Sequence, residues 1–128
     1  MTQHEKRIQL MHLLYQHDLT LQFEQKPSYL FEVDLTQELQ TILKQLTHLD
    51  DIISKCLTNY RLNRLSYVDR AIIRLATYEM MFLKLEPEIA INEALNITRE
   101  FSMLDDEKQV KFNNKLLDTI ALFIKEHA

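Results

Sequence analysis

The stretch from 64 to 101, RLSYVDRAIIRLATYEMMFLKLEPEIAINEALNITREF, decides the fold of this chain. Its first half carries a capping box, Ser66-x-x-Asp69, ahead of apolar residues at helical spacing. Its second half opens with a proline, Pro87, between two glutamates that the N-terminal end of a helix dipole favours. The stretch therefore predicts two amphipathic helices joined by a short connection.

Helical spacing continues on both sides of this stretch. Apolar residues predict a first helix over 4–23, whose narrow polar face suggests a central position, and a last helix over about 105–125. Between them, 25–34 is predicted to be a loop. Stripes over 35–46 and 49–60 indicate two helices or one bent helix, with Thr47-x-x-Asp50 as a possible cap. No segment alternates as a strand does, so the predicted fold class is all-α with about six helices.

Length and composition indicate one soluble domain over 1–128. The chain has 128 residues, 46% of them hydrophobic and 27% charged, which is the balance of a globular protein with a real core. No apolar run approaches the ~20 residues that span a bilayer, so we expect no membrane association. Cys56 is the single cysteine and cannot form an internal disulfide, which favours a cytoplasmic location.

The sequence argues against several enzyme classes. It contains no glycine, and both phosphate-binding loops and dinucleotide fingerprints need glycine for close backbone approach. Its five histidines do not pair at metal-ligand spacing, and Cys56 lies on an apolar stripe. We therefore predict no catalytic residues, no metal and no cofactor. Without glycine, helix ends are expected to close on Asn59, Asn63 or Asn96, or to fray.

Two linked motifs carry a family resemblance. VDRAIIRLATYE at 68–79, followed by AINEA at 90–94, resembles the signature of the NusB family of bacterial antitermination factors. The resemblance covers nearly the whole chain and implies a NusB-like fold of six to seven helices in two small, packed bundles. It also implies binding to single-stranded boxA-type RNA in ribosomal RNA transcripts. The implied partners are NusE, which is ribosomal protein S10, and the RNA polymerase antitermination complex.

The last predicted helix holds the best candidate RNA surface. Lys108, Lys111 and Lys115 follow an i, i+3, i+7 spacing that places them in one narrow arc, and Phe112 borders that arc. Lys111, Phe112 and Asn114 also match the family pattern Lys-Phe-Val-Asn-Gly, whereas Asn113 and Lys115 replace its valine and glycine. Lysines would contact phosphates, Phe112 would stack on a base and Asn114 could read a base edge. The alternative is a solvated lysine face beside a core phenylalanine.

Other candidates for RNA contacts are less well marked. Lys6 and Arg7 stand where the family has an arginine-rich first helix, although a solvated first turn explains them equally well. The resemblance places Tyr15 and Tyr60 near the RNA surface, and Arg61 and Arg64 add cations beside Tyr60 that could extend the basic surface. Half-buried core tyrosines are the simpler interpretation of the two aromatic residues.

A protein-binding role is the alternative for the whole chain. The net charge of −4 disfavours indiscriminate binding to nucleic acid. The protein could therefore be a helical scaffold or homodimer with little RNA affinity. Glu79, with Arg70, Asn92 and Glu93, is interpreted mainly as an internal polar tie between helices. Docking of a protein partner is the alternative for Glu79 and for Arg74.

Overall fold

A computed structural model of the protein describes residues 1–22, 35–58, 60–101 and 106–127, with backbone only for Gln22 and Asp106. Its helices are α1 (Gln3–Gln22), α2 (Thr36–Lys44), α3 (Leu46–Cys56), a single 3₁₀ turn (Leu62–Arg64), α4 (Tyr67–Phe82), α5 (Pro87–Phe101) and α6 (Asp106–His127). The described ranges contain no strand, and the all-α prediction is confirmed. The predicted loop at 25–34 and the predicted ends Phe23 and Asp105 lie outside the described residues.

Helix α4 forms the centre of the molecule. Every residue from 71 to 80 is buried, because α1, α3, α5 and α6 all pack against it. Helices α1, α2 and α3 contact one another in chain order, and α1 and α3 also pack against α4. Helices α4, α5 and α6 form a second group in which each contacts the other two. The sequence suggested α1 for the central position, but α1 keeps an exposed edge that includes Glu5 and His12. The central position therefore belongs to α4.

Local signals set several of the helix boundaries. The Ser66 Oγ accepts a hydrogen bond from the Asp69 backbone N–H at 3.1 Å, as the capping box predicts. Pro87 is the first residue of α5, where its missing N–H costs nothing. The predicted Thr47 cap is wrong, because α3 begins at Leu46 with Gln45 in the N-cap position, so Thr47 already lies inside the helix. Only Gln45 separates α2 from α3, and its carbonyl accepts a hydrogen bond from the Leu49 N–H at 2.9 Å in the first turn of α3. Helices α2 and α3 are therefore two helices, one directly after the other.

The end of α4 is closed by a lysine. Lys84 has a φ of 57°, the left-handed region that glycine occupies most easily, and the next N–H, from Leu85, donates to the Glu79 carbonyl at 3.0 Å. The asparagines proposed for this role are elsewhere: Asn63 lies in the 3₁₀ turn and Asn96 inside α5, while Asn59 is outside the described residues. A non-glycine residue in this conformation costs about 1–2 kcal/mol.

Candidate nucleic-acid interface

A surface cleft lies where the connection between α3 and α4 meets the start of α6. Its volume is about 360 Å³, and its walls come from Tyr60, Arg64, Leu65, Ser66, Lys108, Gln109 and Phe112. The Tyr60 and Phe112 ring centroids are 5.3 Å apart, with the ring planes tilted by 58°. Tyr60 is 43% exposed, and its hydroxyl donates to the Arg64 carbonyl at 3.2 Å. The cleft thus presents two aromatic rings to solvent beside two cationic side chains.

A second, smaller cleft lies on the other side of Phe112. It has a volume of about 160 Å³ and includes Lys115 and Thr119 of α6 together with Cys56 at the end of α3. Burial raises the pKa of the Cys56 thiol, so that the side chain stays protonated and forms an uncharged wall. Phe112 lines both clefts and forms the partition between them.

The lysine arc predicted on α6 is present and accessible. Lys108, Lys111 and Lys115 are all exposed, and within the described residues none of them forms an ion pair. Lys108 lines the larger cleft and Lys115 the smaller one. Asn114 and Arg61 are also exposed, but neither lines a cleft. The structure therefore brings Tyr60, Lys108, Phe112 and Lys115 together around one partition.

A buried polar network supports the inner side of this surface. Asn113, which is fully buried, donates to Asp69 Oδ1 at 3.2 Å and to Thr98 Oγ1 at 3.1 Å. It also accepts a hydrogen bond from the Gln109 amide at 2.9 Å. The Ser66 hydroxyl donates to the other Asp69 oxygen at 2.7 Å. The network links α4, α5 and α6, and it fixes two residues of the cleft wall, Ser66 and Gln109.

Sequence reasoning anticipated Arg64 but missed the place of Ser66 and Gln109 in the cleft wall. Arg64 stands four residues after Tyr60 and was expected to extend the basic surface beside that ring. Ser66 was recognised only as a helix cap. Gln109 carries no signal in the sequence, because its place in the wall depends on a bond to Asn113 inside the protein.

The N-terminal candidates lie away from both clefts and have internal partners. The Arg7 Nε donates to the Glu79 carboxylate at 2.8 Å, and its side chain is only 11% exposed. Lys6 lies 3.8 Å from Glu38 of α2. Tyr15 is half-buried, with its ring edge against Tyr67 at 6.4 Å between centroids. Arg7 is therefore a tie between α1 and α4, with little surface left for a phosphate.

The two candidate partner-docking residues are also interior. Arg74 donates to both oxygens of Asp50 at 2.8 Å and to both oxygens of Asp18 at 2.8 and 2.9 Å. Burial opposes its charge, but these two carboxylates outweigh burial and raise the pKa of Arg74. Burial also raises the pKa of Glu79, although Arg7 pulls it the other way. Both residues are less than 10% exposed, so they tie helices together and offer almost no surface to a partner.

Two other features are absent from the described residues. No helix in the described ranges is both long and apolar enough to cross a bilayer. No group of three or more metal-ligating side chains occurs among the same residues. The fold and the site define a small helical protein with a basic, aromatic-walled surface cleft.

Comparison with known proteins identifies the family. The model of the NusB family matches residues 4–122. The transcription antitermination protein NusB of Thermotoga maritima is 44% identical over 96 residues, which are 74% of this chain and 63% of that protein. The chain belongs to the NusB family, and the resemblance carried by 68–79 and 90–94 is confirmed.

Solved structures agree with this assignment. A structure of T. maritima NusB matches with a TM-score of 0.80 at 32% identity, covering 95% of this chain and 92% of that one. A crystal structure of antitermination factors NusB and NusE in complex with double-stranded RNA matches with a TM-score of 0.71 at 26% identity. That match covers 96% of this chain and 99% of the other. The predicted NusB-like fold is thereby confirmed.

Proposed function

We propose that this protein binds single-stranded, boxA-type RNA of ribosomal RNA transcripts and acts with NusE, ribosomal protein S10, in transcription antitermination. The observation that carries the proposal is Phe112, which lines two clefts, with Lys108 in the wall of one and Lys115 in the wall of the other. The name of the T. maritima relative and the NusB–NusE complex with RNA support the same function. This assembly would act as part of the RNA polymerase antitermination complex.

The mechanism we propose is recognition without chemistry. One base stacks on Phe112, and the exposed Tyr60 ring, 5.3 Å away, offers a second platform in the larger cleft. Lys108, Lys111 and Lys115 contact phosphates, which fixes the register of the strand but carries no sequence information. Asn114 is exposed on the same helix and can read a base edge through its amide.

The remaining predicted contacts take smaller parts in the proposal. Arg61 and Arg64 follow Tyr60 in the sequence and extend the basic surface along the RNA strand. Lys6, Arg7 and Tyr15 line neither cleft, and we leave Arg7 out because its guanidinium is engaged by Glu79. Arg74 and Glu79 are likewise excluded from the NusE-docking face, since both are buried.

The test is fluorescence anisotropy of a labelled boxA-type RNA, single-stranded and as a duplex, with and without S10. Changing Lys108, Lys111 and Lys115 to Gln should weaken binding and remove about 0.7 of log–log salt slope for each lost phosphate contact. Changing Lys44, Lys84 and Lys125 to Gln alters the net charge equally, away from the clefts, and should leave the slope unchanged. Phe112→Ala should weaken binding about five- to 150-fold, since one stacked base is worth about 1–3 kcal/mol.

Two outcomes would contradict the proposal. Equal weakening by both lysine sets would reduce the interaction to a general charge effect. Absence of RNA binding by folded protein that still binds S10 would favour the alternative, a helical scaffold with little RNA affinity. The internal engagement of Arg7 is the observation that keeps this alternative open.

A further inference from the structure

The C-terminal half of α6 borders an apolar surface that the RNA proposal does not use. Leu122 of α6 is 55% exposed, Leu83 after α4 is 61% exposed, and Phe82 beside it is 37% exposed. None of these residues lines either cleft at Phe112. Large apolar side chains clustered in the open are typical of an interaction site.

Two grooves cross this surface side by side. The first, of about 480 Å³, runs between the α4–α5 connection and α6, with Leu85, Pro87 and Leu122 in its walls. The second, of about 440 Å³, lies between α3, the end of α4 and α6, with Phe82 and Phe123 in its walls. Lys84 and Ile124 belong to both grooves, so the two form one continuous surface with two depressions.

The rim of this surface is positively charged, although the chain carries a net charge of −4. Lys84 and Lys125 are exposed, and among the described residues neither forms an ion pair. A third lysine, Lys55, is neutralised by Asp51 at 3.0 Å. Glu86 is the acid that lines the first groove. An apolar floor between two free ammonium groups complements an apolar ligand with acidic flanks.

The backbone at Lys84 is a second, independent observation. Its φ of 57° would be adopted at lower cost by glycine or asparagine, yet this position carries a long cationic side chain. That side chain lies in the wall common to both grooves. The conformation that ends α4 thus places the Lys84 side chain where the two grooves meet.

We propose that this surface binds an acidic amphipathic helix of a partner protein. Apolar residues of the ligand at i, i+3 or i+4, and i+7 enter the two grooves, and its Asp or Glu side chains face Lys84 and Lys125. A second copy of this chain fits less well. In a two-fold dimer the same patch faces itself, so its excess of lysine would be present on both sides of the interface.

The probe is a labelled helical peptide with leucines at these spacings and glutamates on the flanks, titrated into the full chain. A matched peptide has lysine in place of each glutamate. The acidic peptide should bind and the basic one should not. The double variant Lys84→Glu/Lys125→Glu should weaken the acidic peptide at least about tenfold and reverse the preference. Leu122 is exposed, so Leu122→Ser should fold normally. It should weaken binding of the acidic peptide to the protein with its lysines and of the basic peptide to the double variant.

The control Lys44→Glu/Arg99→Glu makes the same change in net charge at exposed positions of α2 and α5 and should leave peptide binding unchanged. Each variant should bind boxA-type RNA as the unaltered protein does, so failure here is distinct from failure of the RNA proposal. Three results would overturn the inference: equal binding of both peptides or of neither, a dimer in sedimentation that Leu122→Ser abolishes, or loss of S10 binding in Lys84→Glu/Lys125→Glu.

Discussion

Glu79 holds its carboxylate in the interior, against Arg7 of α1. The two side chains are 10% and 11% exposed, and their closest approach is 2.8 Å. Burial nevertheless raises the pKa of Glu79, so desolvation outweighs the attraction of Arg7. The family resemblance assigned Arg7 to the RNA surface. In the structure its guanidinium instead binds Glu79 and so ties α1 to α4.

A pH dependence of stability follows from this raised pKa. Folded Glu79 binds a proton more tightly than unfolded Glu79, whose pKa is near 4.5. Its contribution to stability is therefore fully present below that pH and is lost as pH rises through the folded pKa. Urea unfolding of the protein and of Glu79→Gln at pH 4 and pH 7 measures the difference. We expect the advantage of the unaltered protein over Glu79→Gln to be smaller at pH 7.

The control for this measurement is Glu126→Gln, which removes a carboxylate from the exposed end of α6. An advantage of the unaltered protein that grows between pH 4 and pH 7 would contradict the expectation. It would mean that the attraction of Arg7 outweighs the cost of burying the Glu79 charge.

At the scale of the helices, the junction of α4, α5 and α6 depends on one amide. Asn113 satisfies Asp69, Thr98 and Gln109 at once, in a position that no water reaches. The family resemblance implies a valine at this position, where this chain instead places an amide with three polar partners. Such a network is stabilising only when all its members have partners.

Asn113→Val should therefore be destabilising, even though it restores the residue of the family pattern. It leaves Asp69 and Gln109 without their shared partner, which costs about 1–3 kcal/mol for a buried group. Urea unfolding measures the loss. Asn114→Val, at the exposed neighbour, is the control and should change stability by no more than about 0.5 kcal/mol. Gln109→Leu added to Asn113→Val should recover part of the loss, and an unchanged stability in Asn113→Val would refute the network's role.

Sequence reasoning succeeded where the signal is local. The Ser66 cap, the Pro87 start and the lysine arc of α6 each depend on residues within one or two helical turns, and the structure contains all three. It failed where the partner is distant in the chain. Arg7 meets Glu79 72 residues away, and Arg74 meets Asp18 56 residues away. No periodicity reveals such pairs, so Arg7 was predicted as an RNA contact and Arg74 as a docking residue, although an internal tie was predicted for Glu79.

At the scale of the whole molecule, the two proposed binding surfaces have no residue in common. One surrounds Phe112 and the other surrounds Leu122, both on α6. If both proposals hold, the ligands should bind independently. Titrating boxA-type RNA into protein saturated with the acidic peptide should give the same Kd within about twofold. A tenfold change would reveal coupling of about 1.4 kcal/mol, which must then appear reciprocally in the peptide Kd.

Helix α6 also sets the separation between these two surfaces. Leu122 follows Phe112 by ten residues of continuous helix, which is about 15 Å along the axis. A helix buried along one face does not bend freely, so this spacing stays constant. A partner seated at Leu122 would be tethered beside the bound transcript, and its local concentration there would be set by helix length rather than by its abundance in the cell.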